Sequence, residues 1–306
     1  MTPAFRVYWC VMNKWGGGDV KFPPNINKAE DTVTKIKRPS CFDLKQIAES
    51  GQCFRFKMLM SDRHGVKYSV VYKDNYLEIE QPVDEDVLLI SCDMETWNSV
   101  WVHYFDLENN YEKYLKTIED LDDRYDYLKK ASRVSSGIRI LNQDAFEMLI
   151  SFIISQRNNI PRICASVETL ARTYGEQKQD KFTGTAFWTF PTEFSMPITS
   201  GEYTELGFGY RDDYLAGAVK AVQNYGIEAF NSKEKVLSLK GVGEKVANCY
   251  CLFGLHQLGM FPVDVWIQRI IDNYFNGVID ITPFEEFAGV AQQYMFYYER
   301  LTSGKM

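Results

Sequence analysis

Apolar positions along the chain change their period near its middle. From about Phe42 to Glu80 they fall in short alternating runs: Gly51-Gln52-Cys53-Phe54-Arg55-Phe56, Tyr68-Ser69-Val70-Val71-Tyr72 and Tyr76-Leu77-Glu78-Ile79-Glu80, separated by charged or glycine-bearing turns. A period of two bounded by turn residues predicts antiparallel strands. Residues 93–130 read as helix, with Tyr104, Phe105, Tyr111 and Tyr114 set among acidic side chains, and the simplest expectation for them is a solvated helical face. Beyond about Ser132 helical periodicity takes over. The segment from Asp144 to Ser155 is apolar on nearly all sides, as expected of a helix at the centre of a bundle. Further helices are predicted over 163–174, 211–225, 233–239, 244–255, 265–275 and 284–301.

These patterns predict an α+β fold: a small antiparallel β-sheet N-terminal domain, over 31–131, followed by a mostly α-helical body over 132–306. Residues 1–30 carry Trp9, Trp15, a Gly16-Gly17-Gly18 run and Pro23-Pro24 without a sustained period, and are expected to form a poorly ordered extension. A length of 306 residues agrees with two or three packed units.

Composition narrows the function. The 34 Lys and Arg against 41 Asp and Glu give a net charge of −7, which argues against a protein that coats nucleic acid by bulk charge, while leaving room for a local basic cleft. The seven cysteines are odd in number and scattered, pointing to a reducing compartment, and none follows Cys251, so a C-terminal four-cysteine zinc or iron-sulfur cluster is not expected. With three histidines, no long apolar run and no signal-peptide pattern, the expectation is an intracellular protein without a membrane span, cytoplasmic in a prokaryote and nuclear in a eukaryote.

The segment from Leu237 to Cys249 reads as a helix broken by Gly241-Val242-Gly243 and restarted at once, a helix-hairpin-helix over about 233–255. Glycines permit positive φ and close approach of a phosphate, and the free N–H groups of the second helix favour an anion. Neither the dinucleotide fingerprint nor the nucleotide P-loop fits the spacing, since Val246 stands where the one needs glycine and Glu244-Lys245-Val246 where the other needs Gly-Lys-Ser/Thr. A purely structural turn would look the same. Lys245 lies in the first turn of the second helix, where the macrodipole disfavours a cation and favours a nucleophilic amine, although a surface lysine is the simpler alternative. Asp264 precedes the helical run from Val265 to Ile271 and so occupies an N-cap, a role that alone would account for it.

Several separated motifs, in order, raise these readings together. They are Gly51-Gln-Cys-Phe-Arg55, Gly137-Ile-Arg-Ile-Leu-Asn-Gln-Asp144, Asn158-Asn-Ile-Pro-Arg162, Leu206-Gly-Phe-Gly-Tyr-Arg211, Gly241-Val-Gly-Glu-Lys-Val-Ala-Asn-Cys249 and Pro262-Val-Asp264. With them the chain resembles, over roughly 35–301, the 8-oxoguanine DNA glycosylase/AP lyase family of the helix-hairpin-helix (HhH-GPD) DNA glycosylase superfamily. The resemblance implies a bifunctional base-excision repair enzyme in which Lys245 attacks the sugar and Asp264 stabilises the developing positive charge. It implies that the extruded base meets the Gly51 carbonyl and Gln292 and lies between Cys249 and Phe296. Cys249 sits four residues after Lys245, where an ammonium and a thiolate could pair.

By the same resemblance, Arg162 and Arg211 read the opposite cytosine, Tyr210 wedges into the duplex, and Asn158 lies beside the vacated gap. Arg157 stands where eukaryotic members begin a run of three asparagines, so it becomes the gap-filling residue. Trp266 replaces a histidine near the DNA backbone, which Gly241 and Gly243 also approach. The carbonyls of Leu237, Leu239 and Val242 would hold a structural cation bridging to a phosphate; catalysis needs no cofactor and no iron-sulfur cluster. The implied partner is double-stranded DNA with 8-oxoguanine, preferably opposite cytosine, bound by a monomer. Two rivals stay open: a non-catalytic helix-hairpin-helix DNA-binding protein, and a thiol enzyme built on Cys249 and His256.

Overall fold

A computed structural model describes residues 33–304, and the extension expected over 1–30 lies outside the described residues. The fold is α+β. Strands β1 (Thr34–Lys37), β2 (Lys57–Asp62), β3 (Gly65–Tyr72), β4 (Asn75–Pro82) and β5 (Val87–Ile90) form one antiparallel sheet in the order β1-β5-β4-β3-β2. The strongest pairing is β3 with β4, in unbroken register from Gly65 opposite Pro82 to Tyr72 opposite Asn75, across the two-residue turn Lys73-Asp74. Strand β2 escaped prediction because it is an outer strand with almost every side chain exposed, so it shows no apolar alternation, and a bulge interrupts it between Met58 and Met60.

The predicted strand over 51–56 does not form. Gln52, Cys53, Phe54 and Arg55 are all buried, with Cys53 in the core beneath the sheet and Phe54 in the core of the helical body. A segment that feeds side chains into two cores alternates like a strand yet has no free edge for a partner.

Helix α1 (Leu44–Glu49) and the helical run 94–104 cover one face of the sheet, where Leu44, Ile47, Val70, Leu77, Trp97 and Trp101 pack together. Each such side chain contributes roughly 1.5–3 kcal/mol on burial. The expectation of a solvated face over 93–130 therefore holds for its acidic side chains only in part: Tyr104, Phe105 and Tyr111 are fully buried, and Asp106 is buried with them.

The helical body consists of α2 (Tyr111–Glu119), α3 (Asp126–Val134), α4 (Ala145–Ile154), α5 (Ile160–Tyr174), α6 (Ser200–Glu205), α7 (Asp212–Tyr225), α8 (Lys233–Leu237), α9 (Glu244–Phe253), α10 (Val265–Tyr274) and α11 (Ala288–Thr302), with a hairpin of β6 (Gln177–Gln179) and β7 (Ala186–Trp188) inserted. Helices α2 and α3 contribute Tyr111, Ile118, Leu128 and Ala131 to the core of this body. Helix α4 is its centre: every residue but Ala145 is buried, and Asp144 caps it through the Glu147 N–H at 3.0 Å. The single helix predicted over 284–301 begins only at Ala288. Residues 282–287 form a tighter turn in which Phe284 and Phe287 both face the core and Phe284 leaves helical geometry. Among the described residues no helix is long and apolar enough to cross a membrane.

Candidate active site and nucleic-acid interface

The hairpin forms as the glycines require. Helix α8 starts at a Ser232 cap and ends at Leu237, the chain turns over 238–243, and α9 starts at Glu244. Gly241 has φ +84°, and a Cβ there would fall 2.2 Å from the Tyr214 ring, so both the turn and the packing demand glycine. Gly243 differs. It takes the N-cap position in extended conformation with no side-chain cap, and a Cβ there would meet nothing within 4 Å, so the first N–H groups of α9 open onto solvent.

From that helix Lys245 reaches into a cleft of about 850 Å³, its Nζ lying 5.5 Å from the centre of the Phe152 ring. Asp264 lines the same cleft. It is the N-cap of α10: Oδ1 accepts the N–H groups of both Trp266 and Ile267 at 2.9 Å, which fixes the carboxylate at the cleft wall. The cleft also holds Arg157 and Arg300, so its walls carry three basic side chains and one acidic one in a protein whose net charge is −7.

Cys249 lies one turn beyond Lys245 and is buried. Burial pushes its thiol up; Lys245 opposes that shift and Asp264 adds to it. Desolvation thus favours the neutral thiol over the thiolate expected to pair with the lysine. Cys249 and Gln292 are buried and do not line the cleft, Gln292 accepting from Gln293 Nε2 at 3.0 Å, whereas Phe296 and Gly51 line it. Gly51 has φ +81°, and a Cβ there would come within 3.4 Å of Phe296 Cε1 and 3.3 Å of Ile160 Cδ1.

What holds Gly51 in place is Gln52, a positioning role the sequence did not disclose. The buried Gln52 amide donates to the Arg139 carbonyl at 2.8 Å and accepts the Leu141 N–H at 2.8 Å, while its own carbonyl accepts from Gln143 Nε2 at 2.9 Å. Both partners' motifs, Gly51-Gln-Cys-Phe-Arg55 and Gly137 to Asp144, were visible; their contact was not.

The residues expected to face the opposite base divide in the same way. Arg157, with φ +47°, and Asn158 lie on the cleft wall, and the Asn158 amide donates to the Ile154 carbonyl at 3.1 Å. Arg162 is exposed at the start of α5, with no side-chain partner among the described residues. Arg211 is buried, and its guanidinium donates to the carbonyls of Gln156, Phe208 at 3.2 Å and Arg157 at 3.3 Å. Tyr210 is 51% exposed, with its hydroxyl donating to the Gln156 carbonyl at 2.9 Å. In this arrangement Arg211 braces the loop that carries Arg157. Trp266 is half-buried on the cleft wall, stacked near Arg269.

The thiol-enzyme alternative loses its geometry. Helix α9 ends at Phe253, and His256 turns away with φ +52° to engage the Ile140 carbonyl at 3.1 Å and Asp106 at 3.4 Å.

The model of the 8-oxoguanine DNA glycosylase N-terminal domain matches residues 35–149. An N-glycosylase/DNA lyase of Saccharomyces cerevisiae is 32% identical over an alignment of 259 positions that covers 74% of this chain and 66% of the yeast protein, so the chain spans just under two thirds of that relative. An 8-oxoguanine glycosylase/lyase of Clostridium acetobutylicum in its apo-form superimposes with a TM-score of 0.77 at 30% identity, covering 88% of this chain and 97% of that one. The same Clostridium enzyme in complex with double-stranded DNA containing cytosine opposite 8-oxoguanine superimposes with a TM-score of 0.76 at 30% identity, covering 89% and 99%. Likeness of this extent, on a chain whose cleft brings the hairpin lysine and the capping aspartate together, means that the chain belongs to the 8-oxoguanine DNA glycosylase/lyase family.

Proposed function

We propose that the chain excises 8-oxoguanine from double-stranded DNA and then cleaves the abasic strand. The observation that carries this reading is the meeting of Lys245 and Asp264 in one cleft, beside the uncapped N-terminus of α9. The exposed turn around Gly241 and Gly243 offers main-chain N–H groups to a phosphate, which seats the duplex over the cleft. The lesion base is extruded, since its glycosidic bond is out of reach within the stack.

As the bond from C1′ to the base breaks, its electron pair leaves with the base, which takes up a proton, and positive charge grows on the sugar. The Asp264 carboxylate stabilises that charge. The Lys245 amine attacks C1′ and loses a proton, and opening of the sugar ring gives a Schiff base. Loss of a C2′ proton then expels the 3′ phosphate and cuts the strand, and water releases Lys245. A binding module would use the same hairpin without needing this lysine and aspartate to converge.

Recognition follows the same reading. The Gly51 carbonyl accepts the N7 proton that 8-oxoguanine has and guanine lacks. Phe296 stacks on the base, with Cys249 and Gln292 reached once the wall rearranges around it. Arg162 pairs with cytosine, Tyr210 enters the stack, and Arg157 and Asn158 occupy the gap. The indole of Trp266 lies toward the DNA backbone. The carbonyls of Leu237, Leu239 and Val242 fit a hard cation, because they are neutral oxygen donors and the Leu239 carbonyl, which accepts the Val242 N–H at 3.1 Å, keeps a second lone pair. Such an ion would tie the hairpin to a phosphate. The chain works as a monomer and needs no other cofactor. Release of free 8-oxoguanine and a nicked strand from an 8-oxoguanine:cytosine duplex would support the reading; binding without either product would return it to a binding module.

A further inference from the structure

Helix α11 carries Phe296 and, one turn later on the same face, Arg300. The Arg300 guanidinium lies 5.3 Å from the centre of the Phe296 ring, and its Nη1 would be 3.7 Å from a Cβ placed on Gly51. Nη1 donates to the Glu49 carbonyl at 3.2 Å, which uses one of five N–H donors; the others have no hydrogen-bond partner among the described residues. Arg300 makes no ion pair among the described residues, although Glu49 and Asp264 are near enough to act on its charge. A half-buried, incompletely satisfied guanidinium thus lines the cleft beside both the base-stacking phenylalanine and the glycine whose carbonyl reads N7.

We propose that Arg300 is a base-reading residue, donating to a carbonyl oxygen of the extruded oxidised purine. The proposal rests on the glycosylase reading above. The surroundings of Arg300 favour a base as the acceptor. A base stacked on Phe296 with its N–H edge at Gly51 must bring its rim next to Arg300, which stands beside both residues. 8-Oxoguanine presents carbonyl oxygens at both C6 and C8, whereas the Gly51 carbonyl can serve only its N–H edge. Desolvation also works against the charge of Arg300, so an acceptor arriving in the closed cleft gains more than it would at an exposed arginine. The bond to the Glu49 carbonyl ties the guanidinium to the segment that leads into Gly51, so donor and acceptor would keep a fixed separation.

The test compares two substrates for wild type, Arg300→Ala and Arg300→Lys: a duplex with 8-oxoguanine opposite cytosine, and the same duplex with a preformed abasic site in place of the lesion. Both have the same phosphates, but only the first has a base to read. Single-turnover excision relative to abasic-site cleavage should fall roughly tenfold to a hundredfold in Arg300→Ala, the range for a hydrogen bond to a charged group, with Arg300→Lys between the two. If Arg300→Ala does not fold, Arg300→Lys decides by the same ratio. An equal loss on both substrates would mean a grip on phosphate or a role in folding and would overturn the proposal, as would an unaltered ratio. Wild type that cleaves abasic DNA but releases no 8-oxoguanine would overturn the parent reading and this one with it.

Discussion

The Asp264 carboxylate accepts the Ile267 N–H at 2.9 Å through Oδ1, the oxygen that also takes the Trp266 N–H, while Oδ2 makes no hydrogen bond among the described residues. One oxygen therefore holds the helix and the other is left for the cleft. Asparagine keeps an equivalent Oδ1, and as an N-cap it is about as good as aspartate, so Asp264→Asn should change stability by less than about 0.5 kcal/mol. Without the charge, single-turnover excision should drop by roughly a hundredfold to ten-thousandfold. Asp264→Ala should lose the cap as well, at about 1 kcal/mol. Urea unfolding alongside single-turnover kinetics separates the two effects; a folded Asp264→Asn enzyme with wild-type rates would refute the role given to the carboxylate.

The two hairpin glycines should behave differently. Gly241→Ala forces a side chain to φ +84° and into the Tyr214 ring, which should cost about 2–4 kcal/mol from left-handed strain and overpacking together. Gly243→Ala meets neither obstacle and should leave the melting temperature nearly unaltered, but its methyl group covers the N–H groups offered to a phosphate and should weaken duplex binding. Thermal unfolding and DNA titration of both variants check this. Equal stability loss in the two would contradict the packing argument.

Discrimination opposite the lesion should rest more on Arg162 than on Arg211. Arg162 is exposed and unengaged, whereas Arg211 spends its donors on the carbonyls of Gln156, Phe208 and Arg157. Thymine, guanine or adenine opposite 8-oxoguanine should slow excision roughly tenfold to a hundredfold relative to cytosine, the usual cost of one mismatched contact. Arg162→Ala should flatten that profile, and Arg211→Ala should lower all four rates together. Arg157→Asn, readily accommodated at φ +47°, should sharpen the preference for cytosine, because the long guanidinium can shift between bases and asparagine cannot. Equal wild-type rates opposite all four bases would contradict the cytosine assignment.

A pH dependence of stability should come from Glu147, which sits in the first turn of α4 and is buried. Burial pushes its carboxyl up to about 7, Arg55 opposing and Asp144 adding to the shift. With the folded value above the ordinary 4.5, the folded state holds the proton more tightly. The resulting stability is complete below about pH 4.5 and is lost as the pH rises through about 7. Urea midpoints from about pH 5 to about pH 8.5 should therefore fall less steeply in Glu147→Gln than in wild type. Parallel curves would remove Glu147 from the explanation.

Local patterns reveal what a single element decides. The Gly241-Val-Gly243 turn, the Asp264 cap and the apolar run of α4 each declare themselves within a dozen residues, and each forms close to where the pattern puts it. What local patterns miss depends on distant partners. The segment over 51–56 alternates like a strand because it serves two cores, and Gln52 takes its role from Arg139, Leu141 and Gln143 nearly ninety residues away. Strand β2 has no apolar face to betray it. The resemblance assigns Arg211 to the opposite base, and nothing in its sequence neighbours shows that the loop at Gln156 and Arg157 folds back onto its guanidinium. Arg300 had a visible signal, four residues after Phe296 on one helix, but its approach to Gly51 from the opposite end of the chain had none.

The central claim, that Lys245 forms a covalent bond to the sugar, is tested most directly by borohydride trapping on a duplex carrying 8-oxoguanine opposite cytosine. Wild type should yield a stable protein–DNA adduct at Lys245. Lys245→Gln should give none while still binding the duplex, since the hairpin N–H groups that meet the phosphate are main-chain and survive the substitution. An adduct of wild-type yield from Lys245→Gln would contradict the account.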